Sequence, residues 1–322
     1  MSNIFHNIDL FRIINEYTDL RSLCDTCLSF ITLKKYINYI LNKEYSLMYH
    51  DDIVFRNVVL HKIFNPYKQL HLDLSECDNI RDVSMLGNVY KLNLSYCKNI
   101  TDVSALKNVH DLDLNNCENI TNVNMLKNVY KLNLRWCDHI SDVSALCNIH
   151  TLDLSRCKNI DDVSALGNVH NLNLSETNIE DVSALGNVHT LNLSECHGIT
   201  DVRALGTVYN LNLRWCRYIE DVSALGNVHI LDLGETRVKD VSALGNVHSL
   251  NLYRCSNIMD VSALKNVHTL NLSETNITNI NTLGNVHILD LSYCQNITDV
   301  SALRNVYELI LSGCDNITNI RA

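Results

Sequence analysis

A pair of leucines separated by one residue recurs thirteen times between Leu72 and Leu309, and its spacing constrains the backbone. The first leucine falls at 72, 92, 112, 132, 152, 172, 191, 211, 231, 250, 270, 289 and 309, a step of 20 that becomes 19 three times. Each short step follows a copy in which Cys-x-x-Ile gives way to a shorter segment: Thr177-Asn178-Ile179, Thr236-Arg237-Val238 and Thr275-Asn276-Ile277. One residue is lost from a turn, so the strand register is expected to survive. The alternation puts both leucines on one face of a short strand. Every copy enters its strand in the same direction, which stacks the strands as a parallel sheet along one side of a solenoid. Cys97 and Ile100 are then expected to point inward, and Asp102 can cap a 3₁₀ turn through Val103-Ser104-Ala105-Leu106. A coil of this length leaves too few residues opposite the sheet for a full helix. The predicted fold is an α/β solenoid of about 13 coils with a parallel sheet on one face, a narrow back of 3₁₀ turns and a small helical N-terminal domain.

Repetition also explains the composition. Ten of the 13 cysteines (77, 97, 117, 137, 157, 196, 216, 255, 294 and 314) fill one repeat position, where thiols act as small buried hydrophobes with a weak donor rather than as a disulfide framework. Eight histidines (110, 150, 170, 189, 229, 248, 268, 287) and four tyrosines (90, 130, 209, 307) share the position two before the first leucine, which predicts a packed ladder of flat rings. Asparagine fills the preceding turn (88, 108, 128, 148, 168, 187, 227, 246, 266, 285, 305), where its side chain can pair with backbone or with the next copy. The formal charge of −10 argues against a nucleic-acid partner, which calls for a basic patch or stripe. No apolar stretch is long enough to span a bilayer and the N-terminus lacks a signal pattern, so no membrane partner and an intracellular, cytoplasmic location are expected. No phosphate-loop, dinucleotide-binding, nucleophile-elbow or zinc-protease pattern is present, and no catalytic residue, cofactor or metal site is assigned.

The chain divides near Pro66 into residues 1–66, which do not repeat, and 67–322, which do. Helical spacing of Ile8, Phe11, Ile14, Leu20, Leu23, Cys27 and Phe30 predicts three to five short helices, with segment 33–49 continuing the pattern and Asp51-Asp52 opening another helix through Val54, Phe55 and Val58. Cys24-Asp25-Thr26-Cys27 places two thiols on the apolar face of such a helix rather than in a redox or zinc site.

Variation within the repeat marks where a partner would be read. The residue between the leucines is Asn or Asp in every copy but the last, so it belongs to the lattice. The two positions after the second leucine differ between copies and carry Tyr96, Arg135, Trp136, Arg156, Arg214, Trp215, Tyr253, Arg254 and Tyr293. Tryptophan and arginine are enriched in interface hot spots, and the chain's two tryptophans both lie here as Arg-Trp-Cys. Partner contact and plain cover for the strand-end leucines both fit this pattern.

Leu-x-Leu-x-x-Cys-x-x-Ile-Thr-Asp is similar to the cysteine-containing leucine-rich repeat common in F-box proteins. The cysteine-free copies, such as Leu172–Leu185, resemble the short repeats of the SDS22 and internalin type. At the N-terminus, Ile8-Asp9-Leu10, Ile13-Ile14, Tyr17, Leu20, Leu23-Cys24, Phe30 and Phe55 resemble the apolar pattern of an F-box, although Asp9 stands at its proline position and no tryptophan is present there. That resemblance implies a ubiquitin-ligase substrate adaptor, with a Skp1-like protein docking on Ile8, Leu10, Ile13, Ile14, Leu20 and Leu23 and a protein partner on the sheet face. The alternative is a stand-alone scaffold whose helices only cap the stack. The Asn- and Ile-rich, proline-poor composition and the Tyr45–Asn57 segment resemble repeat proteins of large DNA viruses of amoebae, which implies a host protein as partner in the host cytoplasm.

Overall fold

A computed structural model describes residues 37–63 and 68–318, in two units that divide between His139 and Ile140. Ile8, Leu10, Ile13, Ile14, Leu20 and Leu23, together with the Cys24–Cys27 pair, lie outside the described residues.

In the first unit, strands β1 (Ile37–Leu41), β2 (Lys68–Asp73), β3 (Lys91–Asn93), β4 (Asp111–Asp113) and β5 (Lys131–Asn133) pair in chain order, all parallel. Leu41, Leu72, Leu92, Leu112 and Leu132 share one register row, so each coil lays its leucine on the last. Strand β1 corrects the sequence reading, which continued a helix through this segment. Ile37-Asn38-Tyr39-Ile40-Leu41 is rich in β-branched and aromatic residues, and the open edge of β2 supplies a row of backbone partners that overrides the weak helical pattern. Two helices follow, α1 (Lys43–Asp51) and α2 (Ile53–Ile63). Asn42 caps α1 by accepting the Tyr45 N–H at 3.0 Å. Asp52 opens α2 as expected, its carboxylate accepting the N–H groups of Val54 and Phe55 at 2.8 and 3.2 Å. Buried Ser46 ties α1 to the sheet, donating to the Leu41 carbonyl and accepting the Asp73 N–H.

In the second unit, strands β6 (Thr151–Asp153), β7 (Asn171–Asn173), β8 (Thr190–Asn192), β9 (Asn210–Asn212), β10 (Ile230–Asp232), β11 (Ser249–Asn251), β12 (Thr269–Asn271), β13 (Ile288–Asp290) and β14 (Glu308–Ile310) repeat the same parallel ladder. The three shortened copies keep register: Leu172 faces Leu191, Leu231 faces Leu250 and Leu270 faces Leu289. The back of each coil is a 3₁₀ turn of three to five residues, such as Ser104–Leu106 or Ser164–Asn168. The preceding aspartate initiates it, with the Ser104 N–H donating to Asp102 Oδ1 at 2.8 Å. Such short turns occupy little more room than the strand, which is the narrow back that the repeat length demands.

Each coil sends Leu, Leu, Cys, Ile, Val, Leu and Val inward. In the copy from Leu92 to Val109 all seven are at most 1% exposed. The cysteines sit in a row of weak hydrogen bonds: Cys97, Cys117 and Cys216 donate to the carbonyls of Leu74, Leu94 and Leu193, one coil back, at 3.1 Å each. Burial pushes the Cys97 thiol up to about 11 and those of Cys117 and Cys216 up to about 12, so they stay protonated. In the short copies the Thr177, Thr236 and Thr275 hydroxyls each donate to a carbonyl of their own coil at 2.6 Å, which satisfies a buried hydroxyl with one residue fewer. The expected ring ladder is present, with centroids 4.4 to 5.9 Å apart from His71 to Tyr130 and 4.5 to 4.8 Å from His150 to Tyr307.

Asparagine bonding differs from expectation. The turn asparagines such as Asn108 are exposed, and bonds between coils run instead through the asparagine just before the inward Ile, two residues after the cysteine or one after the threonine of a short copy. Asn99, Asn119, Asn178, Asn276 and Asn316 donate to carbonyls one coil back at 2.6, 2.7, 2.9, 3.0 and 2.7 Å. Here the previous coil's carbonyl points straight at the amide.

Candidate recognition surface

The residue that ends each strand fixes the conformation of the variable row. The Asn or Asp between the leucines accepts the N–H two residues on (Ser95 to Asn93 Oδ1, 3.0 Å; Arg214 to Asn212 Oδ1, 2.9 Å) while its amide reaches the neighbouring carboxylate, as in Asn251 to Asp232 at 3.0 Å. The chain then folds back in a four-residue turn closed by the cysteine N–H on the second leucine's carbonyl, as in Cys97 to Leu94 at 3.1 Å. A turn of this kind with positive φ at its third residue favours Gly or Asn there. That third residue is the variable one. Glu76, Tyr96, Asn116, Trp136, Arg156, Glu176, Glu195, Trp215, Glu235, Arg254, Glu274 and Tyr293 all lie at φ between +54° and +65°, and only Gly313 is glycine. Within each unit N–H groups of this row donate to the next coil, as Trp215 does to the Gly234 carbonyl at 2.9 Å, so the lattice holds the left-handed conformation in place.

Left-handed backbone costs a residue with a Cβ about 1–2 kcal/mol. Twelve of thirteen positions carry that strain. The sequence identified the row but not its conformation, although Asn116 and Gly313 in the same column were the available signal.

In the first unit, Tyr96 is exposed, Arg135 is exposed and Trp136 is half-buried. In the second unit, the structure joins three of the six expected residues, Arg214, Tyr253 and Arg254, into one cluster. Arg214 pairs with Glu235 at 2.8 Å, Arg254 pairs with Glu274 at 2.6 Å and reaches Glu235 at 3.9 Å, and the Tyr253 hydroxyl donates to Glu274 at 3.1 Å. The guanidinium groups of Arg214 and Arg254 lie 5.5 and 4.9 Å from the centre of the Tyr253 ring between them. The hydrogen bond from Arg254 holds the Glu274 carboxyl below its ordinary pKa, and the one to Glu235 raises Arg214. Arg156 forms a separate two-point pair with Glu176 at 2.6 and 2.7 Å, and Tyr293 lies over Gly313.

Trp215 brings in residues that sequence reasoning missed. Its ring carries the Arg217 guanidinium at 4.4 Å, Arg237 lies 5.8 Å from the ring centre of Tyr218, and Trp215, Arg217, Glu235, Arg237 and Arg254 line a groove of about 430 Å³. The available signal was the asparagine ladder, which is broken at His139 and then at Gly198, Tyr218 and Arg237 in three successive coils.

Within each unit, successive parallel strands, leucines in register and 3₁₀ turns opposite them define a leucine-rich repeat solenoid. A leucine-rich-repeat family profile matches residues 285–304. Among solved structures, the chain resembles an internalin (InlF) of Listeria monocytogenes at 22% identity, with 74% of this chain and 81% of that one covered and a TM-score of 0.56. It also resembles the functional domain of the same organism's InlJ, described as including a cysteine ladder, at 19% identity with 74% and 60% covered and a TM-score of 0.50. None of the curated proteins matches the sequence. These likenesses establish the fold. No helix among the described residues is long and apolar enough to cross a membrane.

Proposed function

We propose that the chain is a non-enzymatic protein-recognition module that reads its partner along the left-handed row. The observation that carries this reading is the row itself: twelve side chains held in a strained conformation that glycine would relieve, among them both tryptophans, two arginines and two tyrosines. Nothing in the lattice requires those side chains, because the turn needs only their backbone. Aromatic and arginine side chains on a rigid scaffold bind with little loss of conformational freedom. Capture of partners from lysate on immobilised protein, followed by mass spectrometry, tests this. Trp136→Ala and Trp215→Ala should reduce the captured set at least tenfold while melting cooperatively; unchanged capture by both variants would remove the row from the interface.

For residues 1–66 we propose docking on a Skp1-like adaptor, which makes the whole chain a substrate adaptor of a ubiquitin ligase, working in the host cytoplasm if the chain is viral. This rests on the resemblance carried by Ile8, Leu10, Ile13, Ile14, Leu20 and Leu23. Co-expression of the full chain with a Skp1-type protein should give a complex that survives gel filtration. A folded chain that elutes alone leaves the stand-alone scaffold as the better reading.

A further inference from the structure

We propose that the groove between Trp215, Arg217, Arg237 and Arg254 is an anion subsite that seats a phosphomonoester carried on a segment of the protein partner; this rests on the recognition reading above and names the chemistry it reads. Four guanidinium groups meet two carboxylates here. Arg214 is paired with Glu235 and Arg254 with Glu274, whereas Arg217 and Arg237 form no ion pair among the described residues. Two positive charges are therefore left over, on a chain whose formal charge is −10. A carboxylate would cancel one of them and offer two oxygens. A phosphomonoester carries nearly two negative charges and three strong acceptor oxygens, the match for two guanidinium forks.

The groove is also built at the expense of the lattice. In the second unit Asn178 donates to the Lys158 carbonyl, and Asn257, Asn276 and Asn296 to those of Arg237, Ser256 and Asn276. Gly198, Tyr218 and Arg237 stand in the same column in three successive coils and supply no amide. Arg237 instead lines the groove, with its guanidinium 5.8 Å from the centre of the Tyr218 ring. The floor is rigid: Trp215 is half-buried with its ring under Arg217 at 4.4 Å, and Glu235, with its side chain 10% exposed, holds Arg214 and Arg254 from below. Its length also suits an extended peptide, since the groove runs across successive coils from Trp215 through Glu235 to Arg254.

Arg237→Asn is the informative variant, because the equivalent positions in the two other short copies are Asn178 and Asn276, both of which donate to a carbonyl one coil back. The variant should fold at least as well as the parent while losing a groove cation. Fluorescence anisotropy with the full chain would compare a dye-labelled phosphoserine pentapeptide with its serine and glutamate counterparts, using inorganic phosphate and oligo-uridine as competitors. The phosphopeptide should bind saturably and at least tenfold more tightly than the glutamate peptide, and Arg237→Asn and Arg217→Ala should each weaken it at least tenfold. Equal affinity for the phosphoserine and glutamate peptides would overturn the phosphate assignment. Inorganic phosphate competing as tightly as the peptide would reduce the site to a simple ion site, and tighter competition by oligo-uridine would assign the groove to nucleic acid. Unchanged binding in Arg237→Asn would move it elsewhere. If the phosphopeptide fails while partner capture still depends on Trp136 and Trp215, recognition by the row stands and the anion subsite alone is wrong.

Discussion

Glu195 allows the strain in the recognition row to be measured without disturbing the arginine cluster. It sits at φ +62°, and its N–H donates to the Arg214 carbonyl at 2.9 Å, a bond that any residue keeps. Two substitutions separate the contributions. Glu195→Ala removes the side chain but keeps the Cβ, so the left-handed strain remains and stability should change by less than about 0.5 kcal/mol, as for other exposed positions. Glu195→Gly also removes the Cβ, which relieves about 1–2 kcal/mol of strain. Against this stands the greater freedom of glycine in the unfolded chain, about 0.5–1 kcal/mol. The glycine variant should thus be more stable than the alanine variant by about 0.5–1 kcal/mol, close to 2 °C in Tm for a chain of this size. Urea titration followed by circular dichroism would report this as a higher midpoint at unchanged slope. If glycine proves no more stable than alanine, the row is not strained, and the argument that its side chains are kept for recognition loses its basis.

Three further outcomes follow from the stacked columns. His71, His110 and His268 titrate below the ordinary histidine value of 6.5, chiefly through desolvation, so the folded ladder takes up protons less readily than the unfolded chain. That stability is fully present above pH 6.5 and is lost as the pH falls below it; Tm should drop between pH 7 and pH 5, by less in His268→Tyr, and a flat profile would contradict the pKa shifts. In the native state Cys147, which is half-buried, should react with a thiol reagent well before Cys117 and Cys216, whose thiols are fully buried and pushed up to about 12. Asn119→Ala removes the 2.7 Å bond to the Lys98 carbonyl and should lower stability by about 0.5–1.5 kcal/mol, measurable by urea titration.

The solenoid was legible because the interval between leucine pairs dictates strand register, turn length and burial together, and tertiary context had little left to decide. Strand β1 was not, because its pairing partner, the edge of β2, exists only once the repeats have folded. The asparagine ladder was assigned to the wrong column for a related reason: the turn column repeats more strictly in sequence, and only the folded coils show that Asn99 rather than Asn108 bonds to the preceding coil. In the candidate site, the residues after the second leucine were found by their variability. Arg217, Tyr218 and Arg237 were missed because each departs from a column whose structural role became visible only in three dimensions.

Two departures from the repeat fall together between Leu211 and Leu250. Trp215 and Glu235, which both line the groove, occupy the strained turn positions, and the asparagine ladder is interrupted at Tyr218 and Arg237 in the same coils. If both serve recognition, repairing the ladder should separate stability from binding. Tyr218→Asn and Arg237→Asn each restore a side-chain bond between coils, about 0.5–1.5 kcal/mol apiece. Because stability in a solenoid is close to a sum of coil and nearest-neighbour contributions, the gain should appear as slower amide exchange in the coils of β9 to β11 and hardly at all around β3. Partner capture should fall in the same variants. Faster exchange in those coils would mean that tyrosine and arginine hold the turn better than the asparagine they replace, and the interruption would then be a local structural solution and not a site kept for binding.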